Sequence, residues 1–138
     1  MHNLATHLAL HGALILIISV AGGLLLYRSI LKKEGEASWH LLHAGGTARG
    51  ILLIALAAII DLVALPLSLL SIAVWFIIFF VWTSTLAMLI RALSDKPGFK
   101  WSGSPTNKLV FALYAAGTLT IFPGLILLII GLINALVR

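Results

Sequence analysis

Trp39 to Leu65, WHLLHAGGTARGILLIALAAIIDLVAL, is long enough to cross a bilayer, yet it carries His40, His43, Arg49 and Asp61. Ionisable groups inside a membrane span are costly and face a bundle interior, a water-filled cavity or a ligand. With about 3.6 residues per helical turn, His43, Thr47, Gly50, Ile54 and Asp61 line one stripe. His40 lies beside the start of that stripe, and Arg49 projects about a third of a turn away from it. Gly45, Gly46, Gly50, Ala57 and Ala58 leave little bulk nearby, so a neighbouring helix or a flat ligand can approach closely.

The composition agrees with a membrane span. Hydrophobic residues make up 62% of the 138-residue chain and charged ones 9%, with a mean hydropathy of +1.17. A soluble domain has about a quarter of its residues charged, so the chain belongs among membrane proteins. Residues 1–138 leave no room for an additional soluble domain of ordinary size. The absence of cysteine excludes disulfides, thiolate metal sites and cysteine nucleophiles. The formal charge of +5 sits at the ends of apolar runs, which reads as topology and lipid contact, with no nucleic acid partner. The first residues lack a basic start and a small-residue cleavage site, so the first span is expected to be retained.

Four apolar runs follow, about 8–27, 38–65, 67–90 and 109–137, each near or above the roughly 20 residues a spanning helix needs. The expected fold is all-α: one domain, an integral membrane four-helix up-down-up-down bundle. Arg28, Lys32 and Lys33 occupy the first connection, and Arg91, Lys96, Lys100 and Lys108 the third. The opposite side has only Arg138. Positive charge gathers on the cytoplasmic side, which places both termini outside a bacterial inner membrane. Tyr27, Trp39 and Trp101 then anchor the inner interface. Gly12, Ser19 and Gly23 on the first helix, and Gly117, Gly124 and Gly131 on the fourth, predict close helix packing and suit self-association. Pro123 is expected to kink the fourth helix.

Counting about 1.5 Å per residue from the cytoplasmic ends places His43 roughly 8 Å deep and Arg49 roughly 16 Å. Trp82, Thr83, Ser84 and Thr85, Ser19 and Tyr114 fall in the same band, which predicts a polar cavity opening toward the cytoplasm. His11 enters from the outer side, about 15 Å or more from His43, so the two do not share one iron within one subunit. His43 reads either as a hydrogen-bonded helix residue or as a haem-iron ligand. Zinc is disfavoured, because only His40 lies at a ligand spacing and Trp39 marks that position as interfacial. Arg49 keeps its proton and needs an anion or water, such as a haem propionate or a substrate carboxylate. Asp61, His2 and His7 are expected to be solvated, and Trp75 and Trp82 to pack the bundle. No phosphate-binding glycine loop, serine triad or paired carboxylates occur.

The spacing Trp39-x-x-x-His43-x-Gly45-x-x-x-x-Gly50, followed by aliphatics, resembles the second helix of styrene oxide isomerase, and His11-Gly12 resembles the first. The resemblance implies a membrane homotrimer holding haem b between subunits, with His43 as the iron ligand and Trp39, Thr47, Arg49 and Gly50 lining the cofactor. Ferric haem there acts as a Lewis acid that isomerises a small apolar epoxide to an aldehyde without net redox change. Two departures stand out. Arg49 occupies the position of the family's asparagine, and the third helix has no tyrosine, which leaves Tyr114 on the fourth helix to join Arg49 as a catalytic group. Two other classes stay open: a haem protein that is an electron carrier or gas sensor, and a haem-free module that binds or transports a small anion.

Overall fold

A computed structural model describes residues 2–137, with the backbone alone for His2; the expectations for the His2 side chain and Arg138 lie outside the described residues. Four helices follow one another: α1 (His2–Lys32), α2 (Glu36–Ile59), α3 (Leu67–Ser94) and α4 (Pro105–Leu136). The described residues contain no strand. All four helices are long and apolar enough to cross a membrane. The helical choice follows from the apolar composition, because in lipid a lone segment satisfies its backbone only by bonding to itself.

The boundaries differ from the hydropathy reading in physical ways. α1 continues through Arg28 to Lys32, since polar residues at a helix end reach water without breaking the helix. α2 stops at Ile59, earlier than the expected Leu65. Ile60–Leu62 tighten into one 3-10 turn, and Val63 turns extended ahead of Pro66. α3 closes on Asp95 in the left-handed conformation. Ser104 caps α4 by accepting the Asn107 N–H, with Pro105 in the first turn, where its missing donor costs nothing. α4 runs unbroken through Pro123.

The chain packs as two antiparallel hairpins, α1 on α2 and α3 on α4, joined mainly through α2 and α3. Small residues set the α1–α2 seam. A Cβ at Gly12 would lie 2.8 Å from the Gly50 carbonyl oxygen, and one at Gly46 would lie 3.1 Å from Ser19 Cβ. The α4 glycines face α3 and the turn before it: Gly117 meets Thr83 and Phe80, Gly124 meets Ile77 and the Ala73 carbonyl, and Gly131 meets Val63 and Leu65. The Ala64 N–H also donates to the Gly131 carbonyl at 3.0 Å. α3 is the central helix, with half of its most apolar window buried against 17% for α4. α4 rests on α3 and scarcely touches the first hairpin.

The aliphatic core, including Leu8, Ile15, Leu53, Ile60, Leu70, Val74, Ile77 and Leu128, fills the half of the bundle nearer the N-terminus of α1. Ser19, His43, Arg49 and Tyr114 occupy the other half.

Candidate functional site

The stripe on α2 is covered by α1. His43 turns its ring toward Gly23, where a Cβ would lie 2.8 Å from Nδ1 and 3.0 Å from Cε1, so only glycine admits the ring. Nδ1 lies 2.9 Å from the carbonyl oxygen of Ser19. A carbonyl only accepts, so Nδ1 is the donor, and a neutral ring bonded this way carries its lone pair on Nε2. Ser19 is fully buried, and its hydroxyl donates to the His43 carbonyl and meets Thr47 Oγ1 at 2.6 Å. Thr47 Oγ1 donates to the same carbonyl at 2.7 Å. Ring, helix backbone and α1 are thereby tied into one knot. A histidine held through one nitrogen with a lone pair on the other is the usual arrangement of a metal-ligating imidazole.

Arg49 faces away from that seam, toward α3 and α4. Its Nη1 donates to the Gly45 carbonyl at 2.8 Å and approaches Met88 Sδ at 3.7 Å. The guanidinium sits 5.4 Å from the centre of the Phe80 ring. Room for this inward curl exists because residue 45 is glycine: a Cβ there would lie 2.8 Å from Nη1 and 2.9 Å from Met88 Sδ. Arg49 Nε is buried without a hydrogen-bond partner among the described residues, and so is the hydroxyl of Tyr114. An arginine at mid-membrane costs about 3 kcal/mol on insertion scales, and a ring face returns about 0.5–2 kcal/mol. The protein's own contacts leave the cation short of a counter-charge.

Arg49 and Tyr114 share a cavity of about 680 Å³ between the two hairpins, lined on the α3 side by Met88 and Arg91. Gly98, Phe99, Phe111 and Leu119 complete much of the wall, and no acidic side chain lines it. Arg91 lies at one rim, its guanidinium 5.1 Å from the Phe99 ring centre. The phenol of Tyr114 lies in the field of both arginines. His43 is not among the lining residues.

A protein-family model for styrene oxide isomerase matches residues 4–133. The chain belongs to the styrene oxide isomerase family. A search of curated proteins finds no match.

Placed in that family, the expected isomerase residues fall at four separate places. His43 and Thr47 form the α1-facing knot, while Arg49 and Tyr114 form the cavity. Gly50 is a packing contact: a Cβ there would lie 2.7 Å from Leu16 Cγ and 3.0 Å from the Gly12 carbonyl oxygen. Trp39 lines a separate polar cleft at the helix ends with Arg28, Lys32 and Glu34. The single polar layer expected from depth is therefore two sites. Ser19 closes on His43, and the hydroxyls of Thr83 and Ser84 return to carbonyls of their own helix. Thr85 is buried with its hydroxyl unbonded among the described residues.

The sequence reading missed a cluster around His11. Trp82 Nε1 donates to His11 Nδ1 at 3.0 Å, and the rings of Trp75 and Trp82 stand edge-on to His11, each with centres 6.0 Å away. His7 is exposed, as expected, and also stacks on His11 at 6.1 Å and tilts against Trp75 at 5.2 Å. An indole N–H only donates, so Nδ1 of His11 is the acceptor and its Nε2 carries the proton. His11 thus has the tautomer opposite to that of His43. The four-and-seven spacing of His7, His11, Trp75 and Trp82 was the available signal, since it sets both pairs on single helix faces.

Proposed function

We propose that this chain is a membrane-embedded epoxide isomerase that works with haem b held by His43 and assembles as a homo-oligomer, a trimer by family resemblance. The observation that carries this reading is the Nδ1 bond from His43 to the Ser19 carbonyl, which frees Nε2 for a metal. The donor set fits a porphyrin, which asks for one imidazole. Among the described residues no group of three or more His, Asp or Glu gathers to hold a bare ion.

Haem bound at His43 would supply a ferric Lewis acid able to polarise an ether oxygen. The chain's own residues do the rest. Ser19 and Thr47 fix the backbone that carries His43, so the imidazole holds one orientation. Much of the cavity wall is hydrocarbon, and walls of that kind disfavour hydrolysis of an electron-poor carbon held against them. Tyr114, whose hydroxyl lies next to the Arg91 guanidinium, donates a hydrogen bond to the substrate oxygen. His43 lies outside the cavity of its own chain, which favours a site completed by a neighbouring copy. The Lys and Arg distribution supports a cytoplasmic location for the first and third connections in a bacterial inner membrane.

Protein purified from haem-sufficient cells should show a Soret band that is lost in His43→Ala, and aryl epoxides should be converted to aldehydes by the wild type alone. A colourless preparation would overturn the reading. A second reading, a haem-free module for small anions, draws on the two arginines of the cavity and predicts anion binding without any Soret absorbance.

A further inference from the structure

The walls of the Arg49 cavity do not suit a neutral ligand. Two guanidiniums, Arg49 and Arg91, and the phenol of Tyr114 line it with no carboxylate among them. Arg49 Nη1 is engaged by the Gly45 carbonyl and Met88, but its Nε is buried and unbonded among the described residues, and the Tyr114 hydroxyl stands beside Arg91. Phe80 and Phe99 lie under the two cations at 5.4 and 5.1 Å. A ring face attracts a cation without neutralising it. Arg49 sits inside its span and Arg91 in the last turn of α3, and no acidic side chain lining the cavity matches either charge. The remaining wall is hydrocarbon, with Phe99 and Phe111 offering flat faces to an aryl body. A volume of about 680 Å³ lies in the range of sites for small molecules.

We propose that this cavity is a carboxylate site, and that the substrate is an apolar epoxide bearing a carboxylate which Arg49 and Arg91 hold. The substrate assignment rests on the isomerase reading above. Guanidinium suits the role because its planar fork matches a carboxylate through paired hydrogen bonds. The reaction leaves composition unchanged: one epoxide C–O bond breaks, a hydrogen migrates with its electron pair to the carbon so released, and the oxygen becomes a carbonyl. The carboxylate takes no part beyond binding. A porphyrin propionate carries the same group and is the other source the test must separate.

The experiment uses the full chain, haem-loaded in lipid nanodiscs, as wild type, Arg49→Gln and Arg91→Gln. It compares kcat/KM for 4-(oxiran-2-yl)benzoate with that for styrene oxide, and measures thermal stabilisation by unreactive 4-ethylbenzoate against 4-ethyltoluene. The expected result is a preference for the carboxylated epoxide of about tenfold or more, shrinking toward unity in both variants, with stabilisation by 4-ethylbenzoate lost in step. Equal use of both epoxides, with a ratio unmoved by either substitution, overturns the proposal and leaves the isomerase standing. Binding of 4-ethylbenzoate that needs Arg49, with neither epoxide converted, upholds the carboxylate site and removes the isomerase. Loss of haem from Arg49→Gln, with no substrate preference in the wild type, assigns the carboxylate to the porphyrin and overturns the substrate assignment.

Discussion

Nδ1 of His43 and the backbone carbonyl of Ser19 stand 2.9 Å apart across the seam between α1 and α2. The acceptor is main chain, so no side-chain substitution at residue 19 removes it directly. Access to it is controlled by Gly23, the residue against which the imidazole lies.

Gly23→Ala therefore tests the tether. Its methyl would reach Nδ1 and Cε1 and turn the ring from the Ser19 carbonyl. Haem affinity is expected to fall about 10–100-fold, the usual cost of losing a partner that orients a ligating histidine. Haem titration of the apoprotein followed at the Soret band measures this. Gly22→Ala is the control, because its Cβ would press on the Leu42 side chain at 3.1 Å and reach the His43 backbone N only at an ordinary 3.7 Å, leaving the imidazole untouched. Equal losses in both variants would count against the tether.

Ser19→Ala keeps the carbonyl but deletes the hydroxyl shared by His43 and Thr47. Side-chain hydrogen bonds between membrane helices contribute about 0.6 kcal/mol on average and up to about 1.7. A loss of stability in that range, with haem binding largely retained, is expected from thermal unfolding in detergent. A variant as damaging to haem binding as His43→Ala would show that the hydroxyl matters more than the carbonyl.

The opposite tautomers of His11 and His43 can be read by 15N NMR of labelled imidazoles in haem-free protein. His43 should show a protonated Nδ1 and His11 a protonated Nε2. Trp82→Phe removes the indole donor and should change the His11 pattern alone. A His43 ring protonated at Nε2 would contradict the ligand assignment.

Gly124→Ala probes the α3–α4 zipper. Its Cβ would lie 3.1 Å from the Ala73 carbonyl oxygen and 2.9 Å from Ile77 Cγ1, and the backbone carbonyl yields only if α4 moves off α3. Overpacking of this kind costs about 1–3 kcal/mol. Gly103→Ala has open space instead, but its φ of 75° disfavours a side chain, so a smaller loss of about 1 kcal/mol is expected. Thermal unfolding of the two variants side by side gives the order.

Hydropathy made the four spans legible because lipid allows a lone apolar segment few alternatives to a helix. Where each span ends was less legible. Leu62 to Leu65 are as apolar as the residues before them, and the break after Ile59 comes from the turn that carries the chain into Pro66. At the site, depth counting put Arg49 and Tyr114 in the same inner half of the bundle though several ångströms apart, and they share a cavity. The same counting failed for Ser19, and for His11 with Trp82. Axial rise says nothing about azimuth, and α1 begins several residues before its apolar run. Whether Ser19 meets a cavity or a backbone depends on which helix lies opposite, and that is decided by glycines distributed over two helices.

α4 leans on α3 and is barely held by the first hairpin, yet it supplies one wall of the Arg49–Tyr114 cavity. Its seating on α3 runs through Gly117, Gly124 and Gly131, so the position of that wall depends on the closeness of this contact as well as on the bulk of the lining side chains. Variation in molecular girth among accepted compounds should track residues 117, 124 and 131, so directed evolution of scope would do well to begin there, remote from the reacting atoms.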